Sequence, residues 1–134
     1  MPLDYKRDDA NRRIRLTVTD PFNLAELIAA VERQLGDGAW RYGLLIDARA
    51  PLSVSPTSDI QSYAARVSEL IAAHGPRGPI AVISRDGTMI GGVKKYALFV
   101  GKSETLELFW DLDDGQQWLD TRMAQGGETP DVGS

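Results

Sequence analysis

Two short apolar runs in the second half of the chain, each followed by a stretch of helical character, restrict the fold more than any other feature. Pro79–Ser84 (PIAVIS) leads into a helix-type segment over Gly87–Lys102, and Thr105–Trp110 (TLELFW) leads into DLDDGQQWLDTRM. Apolar strands that alternate with helical stretches are the pattern of a sheet with crossover helices, because each strand needs cover on both faces. The first half extends the pattern. Leu3–Asp8 and Arg12–Thr19 read as two strands joined by a turn at Asp9–Asn11, and Ile14, Leu16 and Val18 alternate with polar neighbours. Asn23 and Glu26 have the spacing of a capping box, ahead of Leu24, Leu27, Ile28, Val31 and Leu35 at helical intervals. Gly43–Ala48 (GLLIDA) is a third strand. After a Pro- and Ser-rich loop, Ser58 is placed to cap a second helix with the stripe Ile60, Tyr63, Ala64, Val67, Leu70 and Ile71. The predicted order is β-β-α-β-α-β-α-β-α: an α/β fold with a mixed sheet of about five strands. Right-handed crossovers predict the three later strands parallel, with the hairpin as an antiparallel edge.

Composition excludes several classes of function. A chain of 134 residues with 43% hydrophobic residues is long enough for one domain with a real core. A net charge of -4 argues against a nucleic-acid surface, which needs a basic excess. Lys6, Arg7, Arg12, Arg13 and Arg15 cluster near the start, but Asp4, Asp8 and Asp9 lie among them and make a mixed-charge hairpin. No cysteine is present, which removes disulfides, thiolate catalysis and Cys-based metal sites. The N-terminal residues lack an apolar signal core, and no stretch approaches the roughly 20 apolar residues of a membrane span. These features predict a cytoplasmic protein, monomeric or homodimeric.

Leu44–Arg49 (LLIDAR), PIAVIS, Gly91–Phe99 (GGVKKYALF) and Leu106–Leu119 (LELFWDLDDGQQWL) together resemble the sulphate-transporter and anti-sigma-factor-antagonist (STAS) fold. The resemblance is to small stand-alone bacterial proteins grouped with STAS and Sec14 lipid-binding domains. It covers roughly Leu3 to Met123 and is one of pattern. It implies a STAS-like βα superhelix over residues 1–123, while the Gly-rich, polar composition of 124–134 predicts a disordered tail. It also implies no obligatory cofactor and a role in binding a protein partner or a small ligand. In anti-sigma-factor antagonists, a serine at the start of the helix after the central strand is phosphorylated. The matching stretch is Ser53–Asp59, where Thr57-Ser58-Asp59-Ile60 stands in place of the family's Asp-Ser-Ser-Gly, and Ser58 is the phosphorylation candidate.

Candidate chemistry is sparse. The single histidine, His74, falls at the end of the second helix, roughly 20 Å from Ser58 at the rise of an α-helix, so no nucleophile–base pair is visible and no catalytic residue is assigned. Asp111, Asp113, Asp114 and Gly115 lack the remaining ligands of a calcium loop, and Arg122 stands where its final Glu belongs; acidic residues in a first helical turn serve the macrodipole instead. No metal site is predicted. Gly91 and Gly92 each cost roughly 1 kcal/mol inside a helix. Tight helix–sheet packing accounts for them, or a ligand or partner docking there, with Lys94 and Lys95 supplying charge.

In sheets with crossovers, ligands favour the carboxyl ends of parallel strands. That edge gathers Asp47 and Arg49, then Ser84, Arg85 and Asp86, then Trp110 and Asp111, with the Ser53 to Ser58 loop, Ser55 included, above it. The predicted ligand or partner surface is therefore Asp47, Arg49, Ser53, Ser55, Ser58, Arg85, Gly91, Gly92, Lys94 and Lys95. Phe99 is predicted to be buried, although the lysines of its helix suit a peripheral membrane contact. The functional expectation is a non-enzymatic regulatory or protein-interaction module. The alternative is a carrier or sensor of a small apolar molecule or lipid, for which a cavity at Met89, Val93 and Phe99 is the deciding feature.

Overall fold

A computed structural model describes residues 3–50 and 56–128 of the chain. The hairpin forms as its alternation predicts: β1 (Leu3–Asp8) pairs antiparallel with β2 (Arg13–Val18). Asp8 closes the turn, accepting hydrogen bonds from the backbone and side-chain N–H groups of Asn11 at 3.2 and 2.7 Å. The chain continues through α1 (Leu24–Gly36), β3 (Gly43–Asp47), α2 (Thr57–His74), β4 (Ile80–Ile83), α3 (Gly87–Val100), β5 (Leu106–Phe109) and α4 (Leu112–Glu128). The described residues thus form an α/β fold with a five-stranded sheet in the order β1-β2-β3-β4-β5 and four α-helices. All of β2 to β5 run parallel, so β2 joins the parallel set and β1 alone is the antiparallel edge.

Local signals account for several boundaries. The Asn23 side chain accepts from the Glu26 N–H, and the Glu26 carboxylate accepts from the Asn23 N–H, both at 2.9 Å. These two bonds satisfy donors that the first turn of α1 would otherwise leave free. The start of α2 departs from the prediction. Its N-cap position is Pro56, without a side-chain cap, and Ser58 is an exposed residue inside the first turn. Proline's fixed φ and the extended ψ of 146° at Pro56 deliver the chain to the helix, so no serine cap is used. Helix α4 runs on to Glu128, so the first residues assigned above to a tail are helical. A helix already docked through Leu119 adds one hydrogen bond for each further residue, and that outweighs the polar, Gly-rich composition. The remainder of the tail lies outside the described residues.

Successive neighbouring strands joined by crossovers of one hand place their helices on one face. Ile14, Leu16 and Val18 of β2, Leu44 of β3, and Ile80 and Val82 of β4 point to that face and pack with Val93 of α3 and Ala30 of α1. Leu45, Ala81 and Ile83 point the other way, onto Leu119, Trp118 and Leu112 of α4. Covered on both faces, β4 is buried along its whole length. Gly115 sits where α4 crosses β4: a Cβ there would collide with the end of Ile83. Close helix–sheet packing is therefore the reason for the glycine in the acidic stretch Asp111–Gly115.

Helix α2 occupies a different level. Its Val67 and Leu70 pack with Val31 of α1 and with Trp40, and its Ala64, Ile60 and Tyr63 pack with Tyr96 and Val100 of α3. It bridges α1 and α3 as a roof, held at its far end by Trp40, whose Nε1–H donates to the Gly75 carbonyl at 2.8 Å.

Candidate functional site

Beneath that roof lies a cavity of ≈ 410 Å³. Its floor is the sheet face formed by Leu16, Val18, Leu44, Ile46, Ile80 and Val82; Leu24 and Leu27 of α1 and Met89, Val93 and Tyr96 of α3 form the walls. Ile60 and Tyr63 of α2 close it from above. The volume is in the range of small-molecule pockets, roughly 300–1,000 Å³. The exposed lining residues, Asn23, Pro56, Gly87, Thr88 and Lys95, gather near the starts of α1, α2 and α3 and mark the open end. The opposite end, at Arg77, Ile80 and Tyr96, is buried.

The two mid-helix glycines belong to this cavity. A Cβ on Gly91 would meet no atom within 4 Å, and one on Gly92 would meet only Ile60 Cδ1 at 3.8 Å. Tight helix–sheet packing is therefore not their explanation. Both line the cavity, and side chains at these positions would narrow it.

Polar groups are concentrated at the closed end. Arg77 and Glu104 form an ion pair at 2.8 Å with side chains 2% and 1% exposed. Arg77 Nη2 also donates to Gln34 Oε1 at 2.9 Å, and the Gln34 amide donates to the Ala39 carbonyl at 2.9 Å. The Tyr96 hydroxyl donates to Glu104 Oε1, and the guanidinium lies over the Trp40 ring at 5.3 Å from its centroid. Burial alone would draw the Arg77 pKa down, but the surrounding groups, the Glu104 carboxylate among them, outweigh it, and the guanidinium is held more firmly charged than in water. Burial raises the pKa of both tyrosines, so both stay neutral. Arg77 Nε is left buried without a hydrogen-bond partner among the described residues.

The residues expected to form the ligand or partner surface divide into four groups. Gly91, Gly92 and Lys95 line the cavity, with Lys95 Nζ donating to Thr57 Oγ1 at 3.3 Å across the α2–α3 junction. Asp47, Arg49 and Arg85 are outside the cavity lining and pair with one another's neighbours. Arg49 grips both oxygens of Asp47 at 2.8 Å, Arg15 adds a bond at 3.1 Å, and Arg85 pairs with Asp111 at 2.7 Å beside the exposed Trp110 ring. Ser58 and Lys94 are exposed and do not line the cavity. Ser53 and Ser55 lie outside the described residues. His74 is exposed at the end of α2, with its ring edge toward Trp40. Among the described residues, no group of acidic or histidine side chains is arranged to hold a metal ion.

The Asp47 cluster carries a pH signature. Hydrogen bonds from Arg49, working against burial and supported by Arg15, draw the Asp47 carboxyl down to about 2. The folded-state value is below the unfolded one, so the stabilisation is complete above about pH 4 and is lost as pH falls through about 2. Both guanidinium groups are close to 40% exposed, and the contribution is correspondingly discounted to about 1–2 kcal/mol. Asp47→Asn should lower stability by that amount at neutral pH in urea unfolding, with the gap narrowing between about pH 4 and about pH 2. A gap that stays constant with pH would show that the carboxylate charge is not what Arg49 and Arg15 stabilise.

Phe99 is not buried as predicted. It is 41% exposed and its neighbour Leu98 is 82% exposed. The inward face of α3 is already filled by Val93, Tyr96 and Val100, leaving these two on its outer side. Phe99 also takes no part in the cavity, whereas Met89 and Val93 do. The Arg77 network escaped sequence reasoning because its members are scattered over α1, the α2–β4 connection, α3 and the α3–β5 connection. The one local signal was an arginine set between Pro76 and Pro79, directly before an entirely apolar strand. No family model matches this chain, and no curated protein matches it.

Proposed function

We propose that this protein binds a small apolar or amphipathic molecule in the cavity beneath α2, as its carrier or sensor. The observation that carries the reading is the cavity itself. Its ≈ 410 Å³ leaves aliphatic and aromatic side chains without the dispersion contacts that a packed core gives them. Water filling it would find mostly aliphatic and aromatic walls and few hydrogen-bond partners. A ligand with apolar surface removes both costs. The regulatory, STAS-like reading has less support, because Ser58 neither caps α2 nor borders the cavity.

Native mass spectrometry of the protein purified from its own host tests this reading. One equivalent of a non-covalent small molecule, lost on denaturation, is the expected result. A bare mass together with no binding of the apolar dye Nile red would overturn the reading.

A second reading concerns how such a ligand is reached. Leu98 and Phe99 stand exposed on α3 within a segment, Gly87–Ser103, that carries Lys94, Lys95 and Lys102 and no acidic residue. In a chain of net charge -4, this is a local basic and apolar strip, suited to an anionic membrane surface. Each lysine near such a surface contributes about 1 kcal/mol. The protein should co-sediment with phosphatidylglycerol vesicles and not with phosphatidylcholine vesicles, and Leu98→Asp should reduce this severalfold. Equal behaviour toward both vesicles, or a stable dimer that buries Leu98, would sink this reading. Among the described residues, no helix is long and apolar enough to cross a membrane.

A further inference from the structure

The polar groups around the cavity are sorted by depth. At the closed end they are engaged with one another. Glu104 accepts from Arg77 Nη1 and from the Tyr96 hydroxyl, and Gln34 accepts from Arg77 Nη2 while its amide donates to the Ala39 carbonyl. The Tyr63 hydroxyl faces the same guanidinium. Arg77 Nε has essentially no accessible surface, so no ligand atom reaches it. What the closed end presents to a ligand is hydrocarbon, above all Ile80 and Leu106, the paired first residues of β4 and β5.

The mouth is the reverse. Asp59, Thr88 and Lys95 line it, with Thr88 and Lys95 exposed, so water and these side chains together can solvate a polar group held there. Lys95 and Asp59 carry opposite charges, and the mouth favours neither sign of head group. A polar group carried down to Ile80 and Leu106 would lose its water and meet neighbours whose bonds are already made, which is the costly way to bury it.

We propose that the ligand of this cavity is a single-tailed amphiphile that enters tail first, with an unsubstituted hydrocarbon end against Ile80 and Leu106 and its one polar group at the mouth beside Asp59, Thr88 and Lys95. This rests on the reading of the cavity as a ligand site. The class is a medium-chain molecule polar at one end, such as an alcohol. A chain polar at both ends is rejected, because its inner group is desolvated without a partner.

The test compares decan-1-ol with decane-1,10-diol on the full chain, since the two differ only at the end that goes in first. Affinity is read by displacement of Nile red. Orientation is read by intermolecular NOEs to methyl-labelled isoleucine, leucine and methionine in the deuterated protein. Decanol is expected to bind at least about tenfold more tightly than the diol. Its terminal methyl should contact Ile80 and Leu106, and its carbinol protons Leu24 and Met89, near the starts of α1 and α3. Equal binding of alcohol and diol, as in a site where both ends stay in water or both find partners, overturns the proposal and leaves the cavity reading intact. Carbinol contacts to Ile80 and Leu106 do the same. If neither molecule displaces the dye or gives an NOE, the cavity reading falls, and this inference with it.

Discussion

Replacing Arg77 with methionine is expected to destabilise the protein by about 3–5 kcal/mol, the largest effect of any single substitution considered. Methionine approximates the volume of the arginine stem but leaves Glu104, 1% exposed, without its cation. Removing one member of a buried ion pair strands a charge in a medium that cannot solvate it, and this, rather than lost packing, sets the magnitude. It also releases Gln34 Oε1, itself fully buried, from its donor. Combining Arg77→Met with Glu104→Gln removes the stranded charge while keeping an acceptor for the Tyr96 hydroxyl. The double variant should recover at least half of the loss. Urea unfolding of the wild type, both single variants and the double variant supplies the cycle. Single variants within about 1 kcal/mol of the wild type would mean that the pair is not buried in solution.

Replacing Gly92 with leucine should do two things that rarely go together. It should raise stability, because a mid-helix glycine is removed, worth up to about 1 kcal/mol, and because the new side chain enters apolar space. The nearest atom to the added Cβ is Ile60 Cδ1 at 3.8 Å, an ordinary contact, so the Cβ itself brings no clash. A net gain of about 1–2 kcal/mol corresponds to an increase in Tm of several degrees for a domain of this size. The same side chain occupies the cavity between α2 and α3, and Nile red binding should fall at least tenfold. More stable and less able to bind is the signature of a cavity kept open for use. Unchanged binding would place the ligand elsewhere, and a lower Tm would show that Gly92 faces filled space. Gly91→Ala, with nothing within 4 Å of its added Cβ, should raise Tm slightly and affect binding less.

Much of the fold was legible because each element states its own period. The alternation in Arg13–Val18 placed Ile14, Leu16 and Val18 on one face, and all three are buried there. Asn23 and Glu26 marked the start of α1 to the residue, since a capping box is a local device that needs no tertiary partner. The start of α2 was misread because Ser58 had the right chemistry for a cap in a stretch whose backbone path is set by Pro56. Gly91 and Gly92 were recognisable as an unfavourable pair, but the cavity that both line is bounded by residues of other elements, Ile60 of α2 among them. Of the residues expected at the ligand or partner surface, Gly91, Gly92 and Lys95 line the cavity. Asp47, Arg49 and Arg85 form ion pairs outside the cavity lining.

The sequence by itself determined the order of strands and helices, the apolar face of each and the mixed-charge hairpin, because these depend on periodicity and short-range chemistry. Only the tertiary structure decided that α2 bridges α1 and α3 instead of resting on the sheet, and so that a cavity exists at all. It also decided that Gln34, Arg77, Tyr96 and Glu104 meet at the closed end of that cavity. No pattern along the chain encodes a volume or a polar network drawn from four segments, since both arise from the distance at which separate elements come to rest.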